Sequence, residues 1–308
     1  MRWMLLSGIL IVNACGGAPK SAEAPDAPPP GSASASEVTD DGAGPATDPA
    51  ESDTAALDVK PPKKGTSALE ARSIKMDFEL TLQRGENPAG LQSGTWGVEE
   101  QRSMQVREVG KNGIAALSIV FGKRIAQPLL GIEKKPVTAG NKYLVTAAPG
   151  GAAVTTLDGS KVVAEQRDAV LSEFGYVGAP SLLLKIVAAK PARGEKVKLT
   201  TRQALALLGE VPGLDIDKTE VTLQFDGLRE TGRKTAAFTA SVRSEIVSGA
   251  TRFGFAMQGP ALIDVETGWV SSVQFKGAIT PTGQVKTKKG LFDVRGKGTI
   301  EISRSTTF

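Results

Sequence analysis

Side chains suited to catalysis are scarce in this 308-residue sequence: it holds one cysteine, Cys15, and no histidine. Without imidazole there is no Ser-His-Asp or Cys-His relay, no imidazole-bound zinc and no ordinary general base near neutral pH. One thiol makes neither an internal disulfide nor a thiolate metal cluster. The Ser-x-x-Lys spacing of penicillin-binding enzymes does not occur. Carboxylate pairs remain. Glu99 and Glu100 are adjacent, so a strand would aim them at opposite faces and keep them from sharing a proton. Asp215 and Asp217 in "GLDIDK" alternate, but calcium wants about six oxygens and the glycine-punctuated loop that supplies them is missing. They read as a solvated turn. "APGGAA" at 148–153 lacks the Lys-Ser/Thr ending of a phosphate loop and reads as a turn as well. No catalytic constellation, cofactor site or metal site is expected, and the chain is read as non-enzymatic.

Cys15 has a different use. Arg2 begins a positive segment, and a mostly apolar run of about ten residues follows, from Trp3 to Val12. That run is too short to cross a bilayer, which takes about 20 residues, and suits a secretory signal. Ala14 then precedes the thiol. Residues 1–14 are therefore read as a signal peptide. "VNAC" at 12–15 resembles the lipobox of bacterial lipoproteins, with Asn13 where a small or hydroxyl residue is usual. The resemblance implies that Cys15 carries acyl chains, diacylglycerol with an added fatty acid such as palmitate, and becomes the new amino terminus. Several chains anchor stably where one would be marginal. Gly16 and Gly17 follow in place of an inner-membrane retention Asp. In this family that implies the outer membrane, with the chain facing the periplasm or the cell surface.

Residues 15–64 are read as the lipidated cysteine and a disordered linker rich in Ala, Pro, Gly, Ser and Asp. Such a segment buries too little apolar surface to offset its ordering entropy. As a random chain of about 50 residues it would span roughly 40 Å. The stretch 16–59 holds nine acidic side chains and one basic, a net of −8, whereas 60–308 holds 35 basic and 24 acidic, a net of +11. An acidic tether thus leads into a basic folded part. The basic stretches "GEKVKLTTRQ" and "GQVKTKKG", with lysines at 196, 198, 286, 288 and 289, read as solvated strand faces and a loop. Export makes nucleic acid an improbable partner for that charge. The membrane, reached through Cys15, and a lipid or amphiphile are the expected partners, with envelope proteins as a further class.

The folded part, 66–308, alternates. In "SIKMDFELTLQ", Met76, Phe78, Leu80 and Leu82 take turns with polar neighbours, the pattern of a half-buried strand. Strands are predicted likewise at 95–108, 113–121, 142–147, 152–157, about 220–226 and 236–247, 251–257, 260–265, 269–279 and 291–303. Turns at "GKNG", "LDGS", "ETGR" and "VETG" separate several of them. The middle, about 161–209, is a helical insert. Val162, Val163, Ala169, Val170 and Phe174 fall near helical spacing before Gly175, and "TTRQALALLGE" offers a capping box from Thr200 to Gln203 with Gly209 past the end. Trp96 and Trp269 are read as packing residues. The expected fold is β-rich α+β: a curled antiparallel sheet, half-barrel or sandwich, with a central helical insert.

Signal, lipidated cysteine, linker and β-rich domain together resemble outer-membrane lipoproteins of Gram-negative bacteria, myxobacteria especially. "GRKTAAFTASV", "GPALIDVETGWVSSVQFKGAI" and "DVRGKGTIEIS" are similar to a lipoprotein family of unknown function with an aliphatic-Asp-x-x-Thr-Gly turn, here Ile263, Asp264, Thr267 and Gly268. The family supplies no catalytic residues. The order strands, helices, strands also resembles periplasmic lipid carriers of the LolA type, in which a curled sheet around an apolar cavity is plugged by helices. Two functions follow as expectations: a domain that binds a lipid or other amphiphile, or an interaction module for envelope assembly with no ligand cavity.

Overall fold

The computed structural model describes residues 62–126, 137–287 and 290–308. The signal segment, Cys15 and nearly all of the linker lie outside the described residues, as do lysines 288 and 289. Five strands come first: β1 (Ser67–Arg84), β2 (Asn87–Gly110), β3 (Gly113–Ala126), β4 (Lys142–Ala148) and β5 (Gly151–Thr156). Helices α1 (Ala164–Phe174) and α2 (Leu182–Ala188) follow, then the short β6 (Lys196–Lys198) and helix α3 (Thr201–Leu208). A 3-10 turn at Ile216–Lys218 leads to β7 (Glu220–Thr231), β8 (Arg233–Ser248), β9 (Thr251–Asp264), β10 (Val270–Thr287) and β11 (Gly290–Thr307).

All eleven strands form one antiparallel sheet, ordered β5-β4-β3-β2-β1-β11-β10-β9-β8-β7-β6. The first and last strands meet at its centre, with Ile74 opposite Ile302 and Phe78 opposite Gly298. The sheet curls without closing into a barrel. A single curled sheet is the half-barrel form of the expected fold, so the sandwich alternative falls away. Its two outermost strands are short, six residues in β5 and three in β6.

Curling draws the concave backbones together, and glycines make that approach possible. A Cβ on Gly277 would lie 1.9 Å from the carbonyl oxygen of Ala256, and one on Gly298 would lie 2.1 Å from that of Asp77. Phe78 sits between two such residues, with Gly94 on one neighbouring strand and Gly298 on the other, and its ring covers the space they leave. The ring meets Phe253 edge-on at 5.6 Å.

Two central strands run further than the sequence pattern suggests. Gly259-Pro260 reads as a break between 257 and 260, and Pro281 as an end after 279. Both prolines instead lie inside continuous strands. Proline lacks the N–H a ladder needs. The β9–β10 ladder skips from Gln258 to Ala261, and the β10–β11 ladder skips from Ile279 to Thr282. The sheet passes each proline by omitting two pairs.

Helices α1 and α3 fall where helical spacing and the capping box place them. Gly175 ends α1, and α3 opens on the full capping box: Thr200 Oγ1 accepts from the Gln203 backbone N–H, and Gln203 Oε1 accepts from the Thr200 N–H at 2.9 Å. All three helices turn apolar side chains to the concave face of the sheet. One buried cluster joins Met76, Phe238, Phe253 and Phe275 to Leu183 and Ile186 of α2 and to Leu207 and Leu208 of α3. A second joins Met104, Leu117, Ile119 and Tyr143 to Val170 and Phe174 of α1. Each such side chain contributes about 1.5–3 kcal/mol on full burial. Among the described residues no helix is long and apolar enough to cross a membrane.

Candidate functional site beneath the helical cover

Between the two apolar clusters lies a layer of buried charge. In β1, Ala68, Glu70, Arg72, Ile74 and Met76 share one face, and in β2 so do Val98, Glu100, Arg102 and Met104. Period-2 alternation sends all of them inward, charged and apolar alike. Cross-strand register sets Glu70 opposite Arg102 and Arg72 opposite Glu100, with Arg304 of β11 opposite Arg72 and Arg124 of β3 opposite Glu100. Glu70, Arg72, Glu100 and Arg102 are each 5% exposed or less. Charges so deep persist only when paired.

The pairs tie the sheet together and tie the helices to it. Glu70 accepts from Arg102 at 2.8 Å and from Arg304 at 2.7 Å. Glu100 pairs with Arg72 at 3.4 Å and Arg124 at 3.3 Å. Across the layer, Glu173 near the end of α1 accepts from Arg102 at 2.5 Å and lies 3.5 Å from Arg72. The same carboxylate accepts from the backbone N–H of Glu210, whose own carboxylate meets Arg124 at 3.1 Å. Arg304 donates to the carbonyls of Ala206 and Leu207 at the end of α3. Gly209 follows α3 at φ +73°, and a Cβ there would lie 2.3 Å from the Arg72 guanidinium. The bare backbone makes room for that charge.

Burial alone would push the Glu173 carboxyl up, but Arg102, Arg72 and Arg304 outweigh it and hold its pKa at about 2. Glu70 is also lowered, its burial overcome by Arg102 and Arg304. A folded pKa below the ordinary 4.5 means that the Glu173 clasp contributes stability above pH 4.5 and loses it as pH falls toward 2. Acidification through that window is therefore expected to free α1 before the sheet melts. Hydrogen-exchange protection, corrected for the slower intrinsic exchange in acid, reads it for 164–174 against 290–307 at pH 7 and pH 3; an equal loss of protection in both would contradict it.

A second junction fastens α2. Asp264 is fully buried and accepts from the Thr267 N–H at 2.8 Å, from the Thr267 hydroxyl at 2.7 Å and from Arg233 Nε at 2.6 Å. The turn carries Gly268 at φ +66°, where a Cβ would come within 2.6 Å of Leu184 and 2.9 Å of the Ser181 Cβ. Ser181 Oγ donates to the Gly268 carbonyl at 3.1 Å. The Asp-x-x-Thr-Gly motif is thus a seat for α2 as well as a turn. Trp269 donates from Nε1 to the hydroxyl of Tyr176, whose pKa burial pushes up to about 12. Trp269 and Trp96 are both buried.

Of the residues singled out in the sequence, Glu99 and Glu100 do face opposite ways, but Glu100 belongs to the buried layer. Asp215 receives the Asp217 N–H at 3.2 Å and caps the 3-10 turn. No group of three or more metal-ligating side chains occurs among the described residues. Lys198 pairs with Glu220 at 3.1 Å on an exposed strand face. The buried arginines escaped the sequence reading. Their signal was parity: Glu70 and Arg72 keep step with Ile74 and Met76, and Glu100 and Arg102 with Trp96 and Val98.

No protein-family model matches this chain, and no curated protein matches it. Among solved structures, an outer membrane channel from Pseudomonas putida F1 is similar at a TM-score of 0.19 and 8% identity, over 81% of this chain and 98% of that one. So slight a likeness carries no argument. What the structure defines is an architecture: an open, curled antiparallel sheet whose concave face is covered by three short helices.

Proposed function

We propose that this chain is a lipid-anchored, non-enzymatic envelope protein whose domain binds a lipid or other amphiphile between its sheet and its helices. Acyl chains on Cys15 would hold it to the outer membrane, and the acidic linker would let a basic domain work away from the surface. One observation carries the reading. The apolar concave face of an open sheet is covered by separate short helices, which α1 and α3 secure through ionic and carbonyl contacts instead of apolar packing alone. Such a cover can move aside while the sheet keeps its shape, and the charge-free remainder of the concave face suits an acyl chain.

A second reading has its own support. Phe238, Phe253, Leu207 and Leu208, which meet where the helices cover the sheet, are each 1% exposed or less, and the half-enclosed pocket between the β2–β3 turn and the start of α2 holds about 240 Å³, below the roughly 300–1,000 Å³ usual for ligand sites. An interaction module would look the same at rest. Native mass spectrometry separates the two. The Cys15→Ser chain, which cannot be acylated, is purified from a bacterial envelope without detergent. An added mass that denaturation releases as an amphiphile is the expected result; a bare polypeptide that also ignores added phospholipid would favour the interaction module.

A further inference from the structure

We propose that the ligand is an anionic amphiphile whose headgroup replaces Glu173 and Glu210 on Arg72, Arg102 and Arg124. The inference rests on the amphiphile reading above and names the ligand class. It begins with a division of charge. Among the described residues, the buried layer on the inner face of the sheet contributes four cations, Arg72, Arg102, Arg124 and Arg304, against two anions, Glu70 and Glu100. The two missing negative charges come from the cover: Glu173 on α1 and Glu210 just after α3. Arg304 takes its remaining acceptors from α3 too, the carbonyls of Ala206 and Leu207.

A cover that moves aside therefore leaves two uncompensated guanidinium charges on a largely apolar face. Such charges demand an anion. Guanidinium forks match carboxylate and phosphate oxygens in shape, and both groups head natural amphiphiles. The arginines also hold donors to spare. Nε of Arg72, Arg102, Arg124 and Arg304 is buried in each case with no acceptor among the described residues. Place for a chain adjoins the charges. Ile74, Met76, Phe78 and Leu80 follow Arg72 on the inward face of β1, an apolar stripe of roughly 20 Å at strand rise. A headgroup at the arginines would leave its acyl chain on that stripe. Glu173 is, in this account, an internal stand-in for the headgroup, and its carboxylate keeps the site neutral until a ligand arrives.

The test pairs ligands that share a chain and differ in charge. The Cys15→Ser chain is titrated with oleate, oleyl alcohol and oleyl phosphate, each below its aggregation limit, and with inorganic phosphate as the chain-free control. Oleate or oleyl phosphate should bind about tenfold or more tightly than oleyl alcohol, and whichever anion leads assigns the headgroup to carboxylate or phosphate. Arg102→Gln should erase the preference while the alcohol binds as before. Since that variant disturbs a buried pair, Glu210→Gln serves as a second: its side chain is 36% exposed, the fold should tolerate the change, and affinity for the anions alone should rise several-fold. Equal binding of oleate and oleyl alcohol would overturn the headgroup assignment and leave the amphiphile reading standing. Failure of every amphiphile to bind would remove the reading itself. Inorganic phosphate bound as tightly as the amphiphiles, and lost in Arg102→Gln, would overturn the proposal in favour of a free anion.

Discussion

Glu173→Gln should lower the unfolding free energy by about 3–5 kcal/mol, the cost of stripping one partner from a buried ion pair. Gln has nearly the shape of Glu, so the loss is one of charge. Glu173 faces two guanidinium groups, Arg102 at 2.5 Å and Arg72 at 3.5 Å, and its side chain is 7% exposed. Water cannot replace the carboxylate easily there. Arg102 keeps Glu70, and Arg72 keeps Glu100, which sets the upper bound. Urea denaturation reads the change through a shifted midpoint at constant slope. The double variant Glu173→Gln with Arg102→Gln should recover part of the loss, since it removes the unmatched charge along with its partner. A drop under about 1 kcal/mol, as for a surface pair, would show that the layer is solvated and not buried.

The second large effect belongs to Asp264. Asp264→Ala leaves the buried Thr267 N–H and hydroxyl without their acceptor and releases Arg233. Orphaned buried donors cost about 1–3 kcal/mol each, so a loss of about 3 kcal/mol is expected. The damage should spread to α2, because Ser181 and Leu184 rest on Gly268 in that turn. Thermal melting measures the stability, and exchange of the amides in 182–188 measures the seating of the helix. Unchanged exchange there would mean that the turn closes the strands and nothing more.

Much of this fold can be read from residue order. Alternation from Met76 to Leu82 marks β1, the capping box marks α3, and glycines mark most turns. Three things resist such reading, each for a physical reason. Prolines at 260 and 281 look like strand ends, yet the sheet accommodates each by omitting pairs on one side only. The strands are also longer than their amphipathic cores: β2 starts at Asn87, well before its first buried side chain, Trp96, because backbone pairing to β1 continues where no core is covered. The charged layer is the third. Glu70, Arg72, Glu100 and Arg102 keep inward parity, but an isolated strand pattern cannot show that β3, β11 and α1 bring their partners. That requires β1 and β11, over two hundred residues apart in sequence, to be neighbours.

Parity also recasts what the domain's positive charge is for. A net of +11 over 60–308 suggests a surface drawn to anionic headgroups. Four of those cations are instead buried on the inner face and committed to specific carboxylates. Salt screens such buried charges far less than exposed lysines.

The account turns on whether helices and sheet separate when an amphiphile binds, and hydrogen exchange with mass spectrometry measures that directly. The Cys15→Ser chain is compared alone and with saturating oleate. The account predicts faster exchange across 164–174 and 201–208, with unchanged or slower exchange in β1, β10 and β11. Helices and sheet protected together, or no change in either despite bound ligand, would contradict it.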